Sequence, residues 1–255
     1  MSVNNVDKII QYLQVVAKGP THIDGNVVER SFNKIKLQPN FFYLDDCNQC
    51  GCCCPPESNL YTQFEYDYIM YCKKEEFDKE GLDYEDLIHL RNSLVEEHHN
   101  INGKDIIFYI YPRDKNELYL PNKGRVVSMC SWLHNYEDGR YRCKVHPIVS
   151  ITCDMPHFRF LNNSHTTSLG ITQFGRNWAL GCKVKFRNPE NNSEFLFAKD
   201  NRLRKLKRLE RVSEEFNIPT YLPEIIEYVE KINYENYTMY LGKDIVNITS
   251  TKKLL

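Results

Sequence analysis

Five cysteines stand within eight positions, in the run Cys47-Asn48-Gln49-Cys50-Gly51-Cys52-Cys53-Cys54-Pro55. Thiolates this close repel one another and oxidise readily unless a soft metal ion or an iron–sulfur cluster holds them. Cys47 and Cys50 form a C-x2-C pair, whose intervening turn curls both sulfurs to one side. Cys50 and Cys53 repeat that spacing, giving C-x2-C-x2-C, the tandem used by ferredoxin-type cluster loops together with a distant fourth cysteine. Gly51 permits the turn this requires. Cys54 neighbours Cys53, so their side chains diverge toward two centres, or toward one ligand and one supporting thiol. Cys52 is ambiguous for the same reason.

Cys130, Cys143, Cys153 and Cys182 follow, separated by twelve, nine and twenty-eight residues. This is no zinc-ribbon pair of knuckles; it predicts loops folding back over the first cluster. The candidate ligands are therefore Cys47, Cys50, Cys53, Cys54, Cys130, Cys143, Cys153 and Cys182, enough for two four-coordinate centres. Cys72 sits on the apolar side of a helical pattern and reads as a packing residue. His146, beside Cys143, is a lesser candidate ligand, with His134 and His157 as further neighbours. Ten cysteines could also form five disulfides. The chain shows no signal-peptide pattern at Met1–Lys8, however, and adjacent cysteines such as Cys53 and Cys54 bridge poorly, so a reducing compartment and metal binding are expected.

The pattern resembles the YkgJ-like cysteine-cluster family, described as a zinc- or iron-chelating domain. That family carries C-x2-C-G-x-C-C, matched here by Cys47, Cys50, Gly51, Cys53 and Cys54, with Cys52 at the variable position. Its downstream cysteines are matched by Cys130-Ser131-Trp132-Leu133, by Cys143 after Gly139 with one extra residue, by Cys153, and by Cys182 after Trp178. After Cys153 the family's usual Arg is Asp154, although Pro156 and Phe158 remain. The resemblance covers residues 47–182 and implies metal or cluster binding. Flagellin lysine N-methylases share the cysteine cluster, so a metal-dependent modifying enzyme is the alternative it implies. No Gly-rich nucleotide loop supports a methyl-donor site, and whether the chain is an enzyme is left open. Four thiolates suit zinc or a [4Fe–4S] cluster equally by charge. The tandem spacing favours iron–sulfur, in a structural or electron-transfer role, with zinc as the alternative.

The elements that must position these residues are read from periodicity. Val6, Ile9, Ile10, Leu13 and Val16 predict a first helix, stopped by Lys18-Gly19-Pro20. Leu60, Phe64, Tyr68, Ile69, Cys72 and Phe77 predict a helix over 59–80 with these residues inward. A second is expected over 84–98 from Leu87, Leu90, Leu94 and Val95, with His98 and His99 at its C-terminus. Residues 106–111 are β-prone, 112–116 a turn, 118–120 a return strand, 125–129 a strand running into Cys130, and 165–174 one more. Long helices are expected over 193–216 and 221–240, then a loose tail. The expected fold is α+β: mostly helical, with short strands and hairpins, and long loops converging on a cysteine-bound metal centre. Residues 1–190 form the cysteine-cluster domain and 191–255 a helical segment packed on it.

With 33 basic and 34 acidic side chains the formal net charge is −1, so no global field recruits nucleic acid. The cations Arg202, Arg204, Lys205, Lys207, Arg208 and Arg211 are read as a solvated helix face. A zinc-organised nucleic-acid or protein-binding module built on that helix is a further alternative. No membrane span is found, a cytoplasmic location is expected, and a protein is the open choice of partner. The sequons at Asn162, Asn191, Asn236 and Asn247 are attributed to chance in an Asn-rich chain.

Overall fold

Asn191 starts the longest helix among the described residues. In the computed structural model its side chain accepts the backbone N–H of Glu194 at 3.0 Å, satisfying one of the helix's unpaired donors. The structure describes residues 9–10, 13, 16–19, 21–23, 26–28, 35–46, 60–80, 95–110, 113–120, 125–130, 133–135, 140–143, 153, 158–163, 166–171, 184–239 and 245–248.

Four helices are numbered here: α1 Gln63–Glu80, α2 Asn192–Glu215, α3 Leu222–Lys231 and α4 Tyr234–Met239. Helix α2 buries Phe195, Ala198, Arg202, Leu206, Leu209 and Val212, the three-to-four-residue period of one helix face. It ends in a Schellman turn. Asn217 takes a positive φ of 53°, its N–H bonds the Glu214 carbonyl, and the Ile218 N–H bonds the Ser213 carbonyl. The single helix expected over 221–240 is two. The chain is extended at Ile232, and Asn233 caps α4 by accepting the Asn236 N–H at 2.8 Å.

A five-stranded antiparallel sheet runs in the order β2 Asn26–Val28, β1 Thr21–Ile23, β6 Val95–Ile101, β7 Lys104–Ile110 and β5 Leu60–Thr62. This corrects the helix expected over 84–98. Residues 95–98 lie in β6, while 84–94 fall outside the described residues. Asn102 and Gly103 both have positive φ, 50° and 76°, as a two-residue hairpin turn demands. That turn pairs Ile101 with Lys104 and forces the preceding residues into strand register. His98 and His99 accordingly lie on β6, not at a helix end. The His98 ring hydrogen-bonds Asp105 at 2.9 Å, which raises its pKa above the ordinary value.

A second sheet is mixed. Its order is β12 Phe158–Asn163, β13 Thr166–Ile171, β3 Ile35–Leu37 and β15 Ile245–Ile248, with β13 and β3 parallel. Strand β15 lies within the stretch expected to be a loose tail; pairing with β3 orders it. Three further antiparallel pairs are β4 Leu44–Asp46 with β14 Lys185–Arg187, β8 Arg113–Leu120 with β9 Arg125–Cys130, and β10 Leu133–Asn135 with β11 Tyr141–Cys143. Residues 113–116, expected in a turn, belong to β8, with an irregular register between Arg113 and Glu117. Residues 118–120 pair with β9, while β7 takes β6 and β5 as its partners.

One apolar core joins the two larger sheets to α2, α3 and α4. It contains Ile9, Leu13 and Val16 from the first helical segment, Leu37, Phe41 and Phe42, Phe108 and Leu169 from the sheets, and the inner faces of α2, α3 and α4. Residues on both sides of position 190 share it. The fold is α+β. Among the described residues, no helix is long and apolar enough to cross a membrane.

Helix α1 faces differently from its expected orientation. Thr62 and Glu65 form a reciprocal capping box, each accepting the other's backbone N–H at 3.2 Å. The buried face carries Glu65, Tyr66 and Ile69, whereas Phe64, Tyr68 and Tyr71 are exposed. On that face Arg208 of α2 reaches the buried Glu65 carboxylate at 3.2 Å.

Candidate metal centre

Strand β4 leads directly into the cysteine run, and its partner β14 begins three residues after Cys182. The register pairs Asp46 with Lys185, Asp45 with Phe186 and Leu44 with Arg187. Two antiparallel strands put the exit of one beside the entry of the other. The chain therefore leaves toward Cys47 at the same end of the ladder at which it arrives from Cys182.

Both strands are fastened to α2. Arg202, only 4% exposed, donates Nε–H to the Phe41 carbonyl and Nη2–H to the Tyr43 carbonyl, each at 2.7 Å. It does not belong to a solvated face as expected. Its guanidinium satisfies carbonyls of the 3-10 turn Pro39–Phe42 and of the residue just before β4. Without it each buried acceptor would lose about 1–3 kcal/mol of satisfaction. On the other strand, Arg187 makes a bidentate pair with Glu194 in the first turn of α2, at 2.7 and 2.8 Å. Glu194 also accepts the Glu190 N–H at 2.9 Å.

The Arg187 hydrogen bonds, followed by that of the Glu190 amide, hold the Glu194 carboxyl at a pKa of about 2, below its ordinary 4.5. A depressed acid stabilises the fold when ionised. This contribution is complete above pH 4.5 and vanishes as pH falls toward 2. Glu194→Gln is expected to melt below the wild type at neutral pH, the two melting curves converging between pH 4.5 and 2. Thermal melts across that range check this; a constant gap would show that the carboxylate is not the titrating group.

Of the remaining cations of α2, Arg208 pairs with Glu65 as described above, and two more pair with acids. Lys207 pairs with Glu230 at 2.8 Å and Arg211 with Glu214 at 3.1 Å, while Arg211 also lies over the Phe64 ring. Arg204 and Lys207 are exposed, and Lys205 and Arg208 half-buried.

Of the eight predicted ligands, three lie in described segments. Cys130 ends β9, opposite Arg113. Cys143 ends β11, opposite Leu133, and is half-buried, as is Cys153. Leu133 follows Cys130 by three residues, so chain connectivity keeps the Cα atoms of Cys130 and Cys143 within roughly 16 Å. Cys47, Cys50, Cys53, Cys54 and Cys182 lie outside the described residues, as do Cys52, His146 and His157. No strand pairing among the described residues ties the β8–β9 and β10–β11 hairpins to the β4–β14 ladder. Nor does any group of three or more His, Cys, Asp or Glu among the described residues form a metal site. Cys72 is half-buried, and its thiol hydrogen-bonds the Tyr68 hydroxyl, raising the pKa of that phenol.

Arg187 and Arg202 were not among the expected site residues. The Asn191-x-x-Glu194 cap is a readable helix start. Arg202 falls on the same three-to-four-residue spacing as Phe195, Ala198, Leu206 and Leu209, a signal for burial, but the sequence does not show which carbonyls it meets.

No family model matches the chain. No curated protein and no solved structure matches it either. The YkgJ-like resemblance therefore rests on cysteine spacing alone.

Proposed function

We propose that this protein binds an inorganic metal centre through cysteine thiolates, an iron–sulfur cluster of the [4Fe–4S] type in preference to zinc. The observation that carries this reading is the tandem C-x2-C-x2-C of Cys47, Cys50 and Cys53, with Cys54, Cys130, Cys143, Cys153 and Cys182 as further thiol donors. Soft sulfur donors fit both groups. Support for fit comes from the β4–β14 ladder, whose one end serves both the run and Cys182. The Arg202 and Arg187 contacts give that ladder a rigid backing on α2. The group would supply electron transfer or a covalent cross-brace between loops. The chain's own part is to hold the thiolates together and limit their access to oxidants.

Anaerobic purification followed by iron, sulfide and zinc analysis with an optical spectrum tests this. Brown protein containing iron and sulfide is expected. Colourless protein with stoichiometric zinc reverses the metal assignment, and protein with neither overturns the reading.

A further inference from the structure

We infer that the junction between the end of α2 and the start of α1 is a proton-sensitive clasp, in which Glu215 holds α1 more firmly as a neutral acid than as a carboxylate. Glu215 is the last residue of α2, and three other elements meet it there. Lys104, at the start of β7, donates Nζ–H to the Glu215 backbone carbonyl at 2.6 Å. Asn102, in the hairpin turn before it, donates Nδ2–H to the Asn217 carbonyl at 2.6 Å. Between these anchors Phe216 is fully buried, its ring edge-on to Phe108 at 5.5 Å. The backbone that carries Glu215 is thereby held in place. Its carboxyl lies against the Thr62 side chain of β5 and the Phe64 N–H of α1. Thr62 in turn accepts the Glu65 N–H, and the Glu65 carboxylate is held by Arg208. Glu215 thus touches the same first turn of α1 that the capping box closes.

The site is incomplete for a charged group. Glu215 Oε2 is buried and has no hydrogen-bond partner among the described residues. An unpaired buried oxygen costs more when it carries charge than when it is neutral. The carboxyl also stands at a helix C-terminus, where the last carbonyls present the negative pole. Lys104 from β7, Arg211 one turn back on α2, and the Thr62 and Phe64 hydrogen bonds from β5 and α1 favour the carboxylate. Arg211 is shared with Glu214 at 3.1 Å, and Lys104 spends a hydrogen bond on the backbone. Burial outweighs these partners and raises the Glu215 pKa above its ordinary 4.5. An acid raised in the folded state contributes stability that is complete below 4.5 and is lost as pH rises through the folded value.

The test compares the purified full chain with its Glu215→Gln variant by thermal melts and amide exchange from neutral pH down past 4.5. Groups that titrate in both proteins cancel in the difference. At neutral pH the Gln variant should melt above wild type, and the gap should close as pH falls to 4.5. Over the same range the amides of Phe64, Glu65 and Tyr66, corrected for intrinsic exchange, should gain protection in wild type relative to those of α3. In Glu215→Gln they should not. Lys104→Gln supplies a second variant. Without that cation, Glu215→Gln should raise the neutral-pH melt by more than it does in wild type. A Gln variant that melts at or below wild type at neutral pH would show that the Thr62 and Phe64 hydrogen bonds outweigh burial, and overturns the clasp. A gap that does not change with pH overturns it too, as does protection that shifts equally in α1 and α3.

Discussion

Cys53→Ser, and equally Cys50→Ser, should strip the chain of one metal centre and lower its melting temperature, whereas Cys72→Ser should leave the metal content unchanged. Cys50 is shared by both C-x2-C pairs and Cys53 closes the second, so either loss breaks the tandem spacing. Binding free energies at thiolate sites are large, about 10–16 kcal/mol for structural zinc in small peptides, and are expressed as folding free energy. Even a fraction of that rivals the entire stability of an ordinary domain, about 5–15 kcal/mol. Metal content per chain and thermal melts of holo protein measure the effect. A Cys50→Ser protein with full metal and an unchanged melt would remove that residue from the ligand set.

Phe195→Ala should cost about 3–5 kcal/mol, the range for emptying an aromatic site in a close-packed core. Phe195 is fully buried, with Phe42 at 5.1 Å, Tyr237 at 5.1 Å and Tyr234 at 5.9 Å between ring centroids. It joins α2, α4 and the turn that feeds β4. Such rings gain from edge and offset contact beyond the area they bury, and no single neighbour can swing into the void without abandoning its own partners. At about 2–4 °C per kcal/mol for a chain of this size, the melting temperature should fall by roughly 10 °C. Denaturant unfolding with an unchanged slope and a lower midpoint is the confirming result. A loss under about 1 kcal/mol would mean that the site collapses around the missing ring.

The long helix α2 was readable because Leu203, Leu206, Leu209 and Val212 repeat at helical spacing over many turns. Strands β9 and β13 were readable from their β-branched runs. The hairpin of β6 and β7 carried a clear signal in Asn102-Gly103, but the apolar spacing from Leu87 to Val95 suggested a helix instead. Strands β3, β4, β14 and β15 could not be read at all. Three or four residues such as Leu44-Asp45-Asp46 hold no period, and they become strands only because partners far along the chain meet them. Arg202 shows the same limit in a side chain. It is one cation among seven on α2, and its burial depends on where the carbonyls of Phe41 and Tyr43 come to rest. The candidate centre was legible as a set of thiols; which thiols share an anchor was not, since that depends on the pairing of Asp46 with Lys185.

That pairing also sets an order of events during synthesis. The ribosome releases the cysteine run about 140 residues before β14 exists to pair with β4, a delay of roughly ten seconds or more at ordinary elongation speed. Throughout that interval β4 has no β14 to pair with, and a prosthetic group that used Cys182 would be installed after translation has passed it. On the metal reading proposed above, oxidants and stray copper would compete during the gap, and slow elongation under aerobic culture is where the holo yield should fall furthest.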